Sequence, residues 1–231
     1  VKLSREDEVL TIWGRASSVN VQKVLWTADE LGLAYERIDA GGKFGGLSDA
    51  AYRAMNPNGL IPTIRDGSGT GEEVVLWESN AIVRYLAARY GADDANAGDA
   101  NSGAAPLWPR DPARRALADR WMDWALTTIN EPMRVLFWGL VRDPVNAKVD
   151  EMLRAEEQSG ELWARLDAWL AEHGPFIAGD SLSIGDIPVG CQVQRWLSFP
   201  IQRPSLPHLE AWHKRLAERP GYRKWVMVKM E

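Results

Sequence analysis

The chain is poor in the residues that most often carry covalent or metal chemistry. It has one cysteine, Cys191, and three histidines, His173, His208 and His213, all in its second half. A single cysteine excludes an internal disulfide framework and suits a reducing cytoplasm. With no GxSxG and no histidine in the first half, a Ser-His-Asp hydrolase fits poorly. No motif calls for a metal. No apolar run approaches the length of a membrane span, and the opening "VKLSREDEVL" has no signal-peptide core, so a cytoplasmic setting is expected. Basic excess is also missing. The net charge is −5, with 10 basic against 12 acidic residues before Gly91 and 17 against 20 after it. Neither half is built for nucleic acid or an anionic membrane.

What is present is apolar mass. The 231 residues are 45% hydrophobic, enough for one large or two modest cores. Nine of the twelve tryptophans follow Gly91, which points to aromatic helix packing or an aromatic pocket there.

The hydrophobic pattern changes character along the chain. "VLTIW" (9–13) reads as a short buried strand. Val21, Val24, Leu25, Ala28 and Leu31 repeat at helical spacing, and Gly32 supplies a stop. "AYERID" (34–39) reads as a second strand and "GGKFGG" (41–46) as a loop. "SDAAYRAMNP" (48–57) reads as a short helix ended by Asn-Pro. "IPTIRDGSGTGEEVVLW" (61–77) reads as two strands joined by a Gly-rich turn, and "ESNAIVRYLAARYG" (78–91) as an amphipathic helix. The stretch 92–108 is small and polar, the composition of a linker. Beyond it only helical patterns remain, the first opening on Asp111-Pro112. The expected fold is therefore α/β plus all-α: a βαβ-α-ββα unit over 1–91, a linker over 92–108 and an all-helical unit over 109–231.

Three short motifs admit either a structural or a chemical reading. Ser17 and Ser18 stand where the first strand hands over to a helix. A serine cap there stabilises a helix by roughly 1 kcal/mol. The same position also gathers unpaired N–H groups that favour an anion. A hydroxyl at such a place donates to a thiolate. A thiol titrating near 8.5 is then lowered by about one to two pH units. Ile61-Pro62 is either a plain turn before a strand or a cis-proline that faces the Ile61 backbone toward an extended ligand. Glu78 and Ser79 open a helix after a strand, where an acid complements the helix dipole. With exposed N–H groups they equally suit the carboxylate and ammonium of an α-amino acid.

Taken in order, these motifs resemble the soluble glutathione S-transferase family, from about Val9 to about Met227. "NGLIP" with "WESNAI" at their separation and "SIGDI" (183–187) carry most of the resemblance, and "WGRxxSxN" at the first turn is similar to a bacterial branch. The resemblance implies a thioredoxin-like first domain and a homodimer that uses glutathione as co-substrate, without a metal. It implies that Ser18, four residues before Gln22, stabilises the glutathione thiolate, with Ser17 and Asn20 as neighbours or substitutes. Other branches use a tyrosine or a cysteine at this turn, and this chain has neither there. Ile61, held by cis Pro62, would meet the cysteinyl backbone. Glu78 and Ser79 would meet the γ-glutamyl end, and Lys43 the glycyl carboxylate. "SIGDI" matches the family's capping box, with Ser183 as cap and Asp186 returning to the backbone. Pro188 just inside that helix predicts a kink, and Cys191 deeper in it reads as core.

A second substrate, a small electrophile, would lie between the domains against the first long helix of the helical half. Trp121, Trp124, Thr128 and Glu131 form one stripe on that helix. Most of its tryptophans read as core, with Trp124 the one assigned to the electrophile. Arg134 is open to two readings: an ion pair with Glu131, or a cleft-facing cation for an electrophile bearing a carboxylate. Phe137 and Trp138 would form part of the wall. The resulting expectation is conjugation of glutathione to that electrophile. The alternative is a glutathione-binding or scaffold protein that keeps the fold without turnover. A glutaredoxin-like oxidoreductase is disfavoured by the missing cysteine at Ser17–Ser18.

Overall fold

A computed structural model describes residues 10–67, 73–91 and 107–230. The Gly-rich turn expected between the third and fourth strands and nearly all of the 92–108 linker lie outside the described residues, as does Val9 of the first strand.

The first unit is a four-stranded sheet with helices packed on it. In chain order it runs β1 (Leu10–Trp13), α1 (Val19–Glu30), β2 (Tyr35–Ile38), α2 (Ala50–Met55), β3 (Thr63–Asp66), β4 (Val74–Trp77) and α3 (Ser79–Tyr90). The sheet order is β2-β1-β3-β4. β1 and β2 are parallel, with Ile12 opposite Arg37. β3 is antiparallel to both neighbours, with Ile64 opposite Ile12 on one side and Leu76 on the other. This is the thioredoxin-like order expected from the motif sequence. Leu10, Ile12, Val21, Leu25, Ile64, Ile82 and Leu86 form its core.

The second unit is all helical: α4 (Pro112–Trp124), α5 (Asn130–Phe137), α6 (Val149–His173), α7 (Asp186–Ser198), α8 (Pro207–Ala217) and α9 (Pro220–Trp225). Asp111 caps α4, its carboxylate accepting from the Ala113 N–H at 2.8 Å, with Pro112 at the first helical position. The expected single helix over this region is interrupted by a π-helical turn at Ala125–Ile129, and a second follows α5 at Trp138–Arg142. Pro132 lacks an N–H, so the carbonyl four residues back loses its partner, and the ladder slips just before the proline.

Tryptophans fill this unit's core. Trp121 meets Trp124 and Trp169 edge-on, Trp124 meets Trp163, and Trp163 lies 5.8 Å from Trp196. Packing, not an aromatic pocket, accounts for the tryptophan excess here.

The "SIGDI" segment corrects the expectation in two details. Asp186 does return to the backbone, accepting from the Ser183 N–H at 2.9 Å. The Ser183 hydroxyl, however, donates to the same carboxylate at 2.7 Å and caps no helix N–H. The Ile177 N–H and the Trp212 indole N–H reach the other oxygen. α7 also runs on through Pro188, because the proline sits in the first turn where an N–H has no intrahelical acceptor. Cys191 is fully buried, and burial pushes its thiol up to about 12, so it behaves as core.

Candidate active site

The β1–α1 turn is shaped by Gly14, whose φ is +151°. A Cβ there would lie 2.4 Å from Val21 Cγ2, so only glycine lets the strand fold back this closely on α1. Gly14 N–H and Arg15 N–H bond to Ile38 O and Ala40 O, which fixes the turn against the end of β2. Ser18 then takes the extended backbone position just before α1. The capping reading fails in one respect: the Ser18 hydroxyl makes no side-chain cap bond. The first intrahelical bond runs from Gln22 N–H to Ser18 O, leaving the Val19, Asn20 and Val21 amides ahead of it as the helix's orphan donors.

Ser18 and Asn20 line a cleft of about 600 Å³ between the two units. From the first unit, Arg15, Val19 and Gly42 join them. The opposite wall is Asn130, Met133, Arg134, Phe137 and Trp138, with Arg142, Gln192 and Arg195. On α5 these residues recur at helical spacing, so they form one face. That face is offset from the Trp121–Trp124 stripe because a π-helical turn lies between. Trp124 is accordingly in the aromatic core and does not line the cleft, whereas Arg134 and Phe137 do. Arg134 is also paired with Glu131, at 2.9 and 2.6 Å. The ion-pair reading of Arg134 is thus the one seen, on a side chain that also lines the cleft.

The Ile61-Pro62 bond is cis. Ile61 packs beside the β1–α1 turn, where a Cβ on Gly14 would lie 3.4 Å from Ile61 Cβ. Glu78 precedes α3 with φ +71°, the one non-glycine among the described residues in this region. Such a conformation in a non-glycine residue costs about 1–3 kcal/mol and tends to mark functional segments. Ser79 follows as the first residue of α3 and is buried.

The starts of α1 and α3 meet at a side chain that sequence reasoning did not single out. Lys23 is only 6% exposed. Its ammonium donates to Asn20 Oδ1 at 2.9 Å and to Ser79 Oγ at 3.4 Å, and Ser79 Oγ also donates to Asn20 Oδ1 at 3.4 Å. Burial pushes Lys23 down to about 8, with Arg195 adding to the effect and Glu78 opposing it. Asn20, Ser79 and the buried cation thus form one polar cluster linking α1 to α3. Of the residues expected to hold glutathione, Ser18 and Asn20 line the cleft, whereas Ser17, Lys43, Ile61, Pro62, Glu78 and Ser79 do not. Lys43 is exposed, 5.3 Å above the Phe44 ring.

The arrangement offers a hydroxyl and orphan amides beside a strongly cationic cleft, a setting that stabilises an anion at Ser18. Arg15, Arg142 and Arg195 went unnoticed in the sequence because arginines scattered over three elements leave no local pattern.

The comparisons agree with this architecture. Residues 17–89 match the model of the glutathione S-transferase N-terminal domain, and residues 119–220 that of the C-terminal domain. The chain is 42% identical to the glutathione S-transferase GstB of Escherichia coli K12 over 95% of this chain and 99% of that protein. It superposes with a TM-score of 0.84 on a theta class glutathione S-transferase of Xanthomonas axonopodis pv. citri with glutathione bound. That protein is 48% identical, and the match covers 97% of this chain and 100% of that one. A glutathione transferase of Phanerochaete chrysosporium, 22% identical, shares the fold with a TM-score of 0.80 over 96% of each chain.

Proposed function

The chain belongs to the glutathione S-transferase family, and from that premise we propose that it conjugates glutathione to a small electrophile, with Ser18 stabilising the thiolate. The observation that carries this reading is the Ser18 hydroxyl. It sits at the α1 N-terminus, lines the cleft and is not consumed as a helix cap.

In this reading, the glutathione thiol lies against the start of α1. Ser18 donates to the sulfur, while the orphan amides and the cleft arginines favour the anion. Ser17 and Asn20 are the neighbouring donors. The Ile61 backbone, beside the cis bond to Pro62, meets the cysteinyl unit as an added strand would. Ser79 and the α3 amides take the γ-glutamyl carboxylate, with Lys23 behind them, and Glu78 takes the ammonium. Lys43, exposed in the loop after β2, takes the glycyl carboxylate. Arg134 and Phe137 form the electrophile wall. Catalysis is then thiolate stabilisation plus placement of two reactants. The working unit is a homodimer, each chain divided at 1–91, 92–108 and 109–231. The setting is a cytoplasm that keeps glutathione reduced. Among the described residues no helix is long and apolar enough to cross a membrane.

The test is titration of bound glutathione by thiolate absorbance in the wild type and Ser18→Ala. The wild type lowers the thiol pKa. The variant still binds glutathione but raises that pKa by about one pH unit and loses roughly tenfold in kcat/KM at neutral pH. An unshifted thiol in both proteins would overturn the role of Ser18 and favour a non-catalytic glutathione-binding protein.

A further inference from the structure

The helical wall of the cleft holds more positive charge than the thiolate chemistry requires. Arg134, Arg142 and Arg195 line it, Arg15 faces them from the first unit, and no aspartate or glutamate lines the cleft. Arg134 is neutralised by Glu131. Arg142 and Arg195 are different. Both guanidinium groups lie over the Phe137 ring, with Cζ 5.7 and 4.3 Å from its centroid. Neither makes an ion pair among the described residues, and the neighbouring Asp143 is taken by Asn146 at 3.0 and 3.1 Å. A guanidinium held over a ring as a cation–π pair spends no N–H on it and keeps those donors for an oxyanion.

Electrostatics point the same way. Burial lowers Arg195 to about 10, with the charges of Arg142 and Arg15 contributing in the same direction and Cys191 opposing. Arg142 and Arg195 repel each other on one wall, and an anion between them relieves that repulsion. Beside them Gln192, 4% exposed, donates to Asn130 Oδ1 at 3.3 Å but leaves its own Oε1 without a donor among the described residues. This end of the cleft has hydrogen-bonding capacity left for a ligand.

We propose that Arg142 and Arg195, stacked on Phe137, form an anion-recognition subsite and that the electrophile conjugated here carries a carboxylate or similar oxyanion. This rests on the glutathione-transfer reading and narrows its substrate class. The role offered by sequence to Arg134 passes to these two arginines, which have no carboxylate to hold. With an anionic aryl chloride, the glutathione sulfur forms the new C–S bond using its own electron pair. The C–Cl bond then breaks, and chloride leaves with the bonding pair. The thiol proton has already gone to solvent. The arginines take no part in bond making. They orient the acid-bearing ring against Phe137 and raise the encounter rate.

The test compares 4-chloro-3,5-dinitrobenzoate with its neutral amide, each corrected for its uncatalysed rate with glutathione. The expected result is a preference for the benzoate that weakens with added salt. Arg142→Gln and Arg195→Gln should each lower the benzoate-to-amide ratio of kcat/KM by about 10- to 100-fold, the range of one charge-assisted bond. Arg195→Lys should recover only part of it. Arg142 is exposed, so its variant keeps the test alive if Arg195→Gln misfolds. A ratio that ignores both substitutions while both probes are consumed overturns the anion subsite alone. So does a loss of glutathione affinity that accounts for the whole change, since the arginines would then serve the glutathione carboxylates. If glutathione binds but neither probe is consumed above background, the transferase reading and this inference fall together.

Discussion

Lys23 shows what a single side chain contributes at the site. It is buried beside Asn20 and Ser79, with two uncharged acceptors and no carboxylate in ion-pair range among the described residues. Burial lowers it to about 8, whereas an unfolded chain holds its lysines protonated to about 10.4. Below pH 8 the ammonium is charged in both states and the fold bears its desolvation. Between about 8 and 10.4 the unfolded chain binds the extra proton, so stability contributed by this residue rises with pH. Lys23→Met should therefore be more stable than the wild type at pH 7, by roughly 3 kcal/mol less about 1 for each lost hydrogen bond. The gap should close at about pH 9 and change sign by about pH 10. Urea midpoints of both proteins at pH 7 and pH 10 check this, and a gap that does not change with pH would show that Lys23 does not titrate in this window. The variant should also bind glutathione more weakly, because Asn20 and Ser79 lose the group that joins them. Sequence could not single out Lys23. On α1 a polar face of Gln22, Lys23 and Thr27 normally looks to solvent, yet all three are buried because the helical unit covers that side. Ser18 and Glu78-Ser79 at strand-to-helix turns, and Ile61-Pro62 at the entry to β3, stand out in sequence because turns are local events with local residue preferences.

At the scale of elements, legibility followed the range of the interaction. The "SIGDI" spacing identifies the start of α7, since Ser183 and Asp186 bond to each other three residues apart. Their other partners, Ile177 and Trp212, come from distant segments and change what the motif does. One fully buried carboxylate accepts four hydrogen bonds and ties α7 to α8 and to the turn after α6. Burial raises its pKa, and the four donors oppose that rise. Asp186→Ala would strand those donors in the core. A loss of about 3 kcal/mol or more is expected, read as a shift in denaturation midpoint, with Ser183→Ala costing only about 1. Equal losses in the two variants would mean that the hydroxyl bond alone matters. The α4–α5 segment is the opposite case. A 3.6-residue period carried from Trp121 leads through Trp124 toward Arg134, but the π-helical turn before Pro132 breaks the register. The stripe therefore misplaces Trp124, while Arg134 and Phe137, placed at the wall by the resemblance, do line the cleft.

The molecule as a whole depends on how α1 is gripped. Its N-terminal end carries Ser18, Asn20 and Lys23. Its other end is clamped to the helical unit, where Glu30 accepts from Arg219 and Trp26, and Asp29 from Trp225 and Lys224. α7 lies along the same helix and carries Gln192 and Arg195 into the cleft. On the proposed function, the distance between thiolate and electrophile subsites depends on the α1–α7 contact, which is tight at Gly190. A Cβ there would lie 2.9 Å from Leu216 Cδ1 and 3.0 and 3.1 Å from the Trp26 ring. Both side chains are fully buried, so neither can simply turn into solvent. Helix propensity favours Gly190→Ala by about 1 kcal/mol, whereas overpacking opposes it by about 1–3. Packing should win because the indole is rigid and is itself pinned edge-on to Tyr222 at 4.8 Å. The variant should be destabilised by about 1 kcal/mol, and α7 should move away from α1. Glutathione contacts lie almost wholly in the first unit in the reading above, so its Kd should change little. The KM for the electrophile, which spans both units, should rise several-fold. Paired measurement of urea midpoint, glutathione Kd and electrophile KM decides it. A stabilised variant with unchanged KM would show that the α1–α7 contact gives way freely and does not set the width of the cleft.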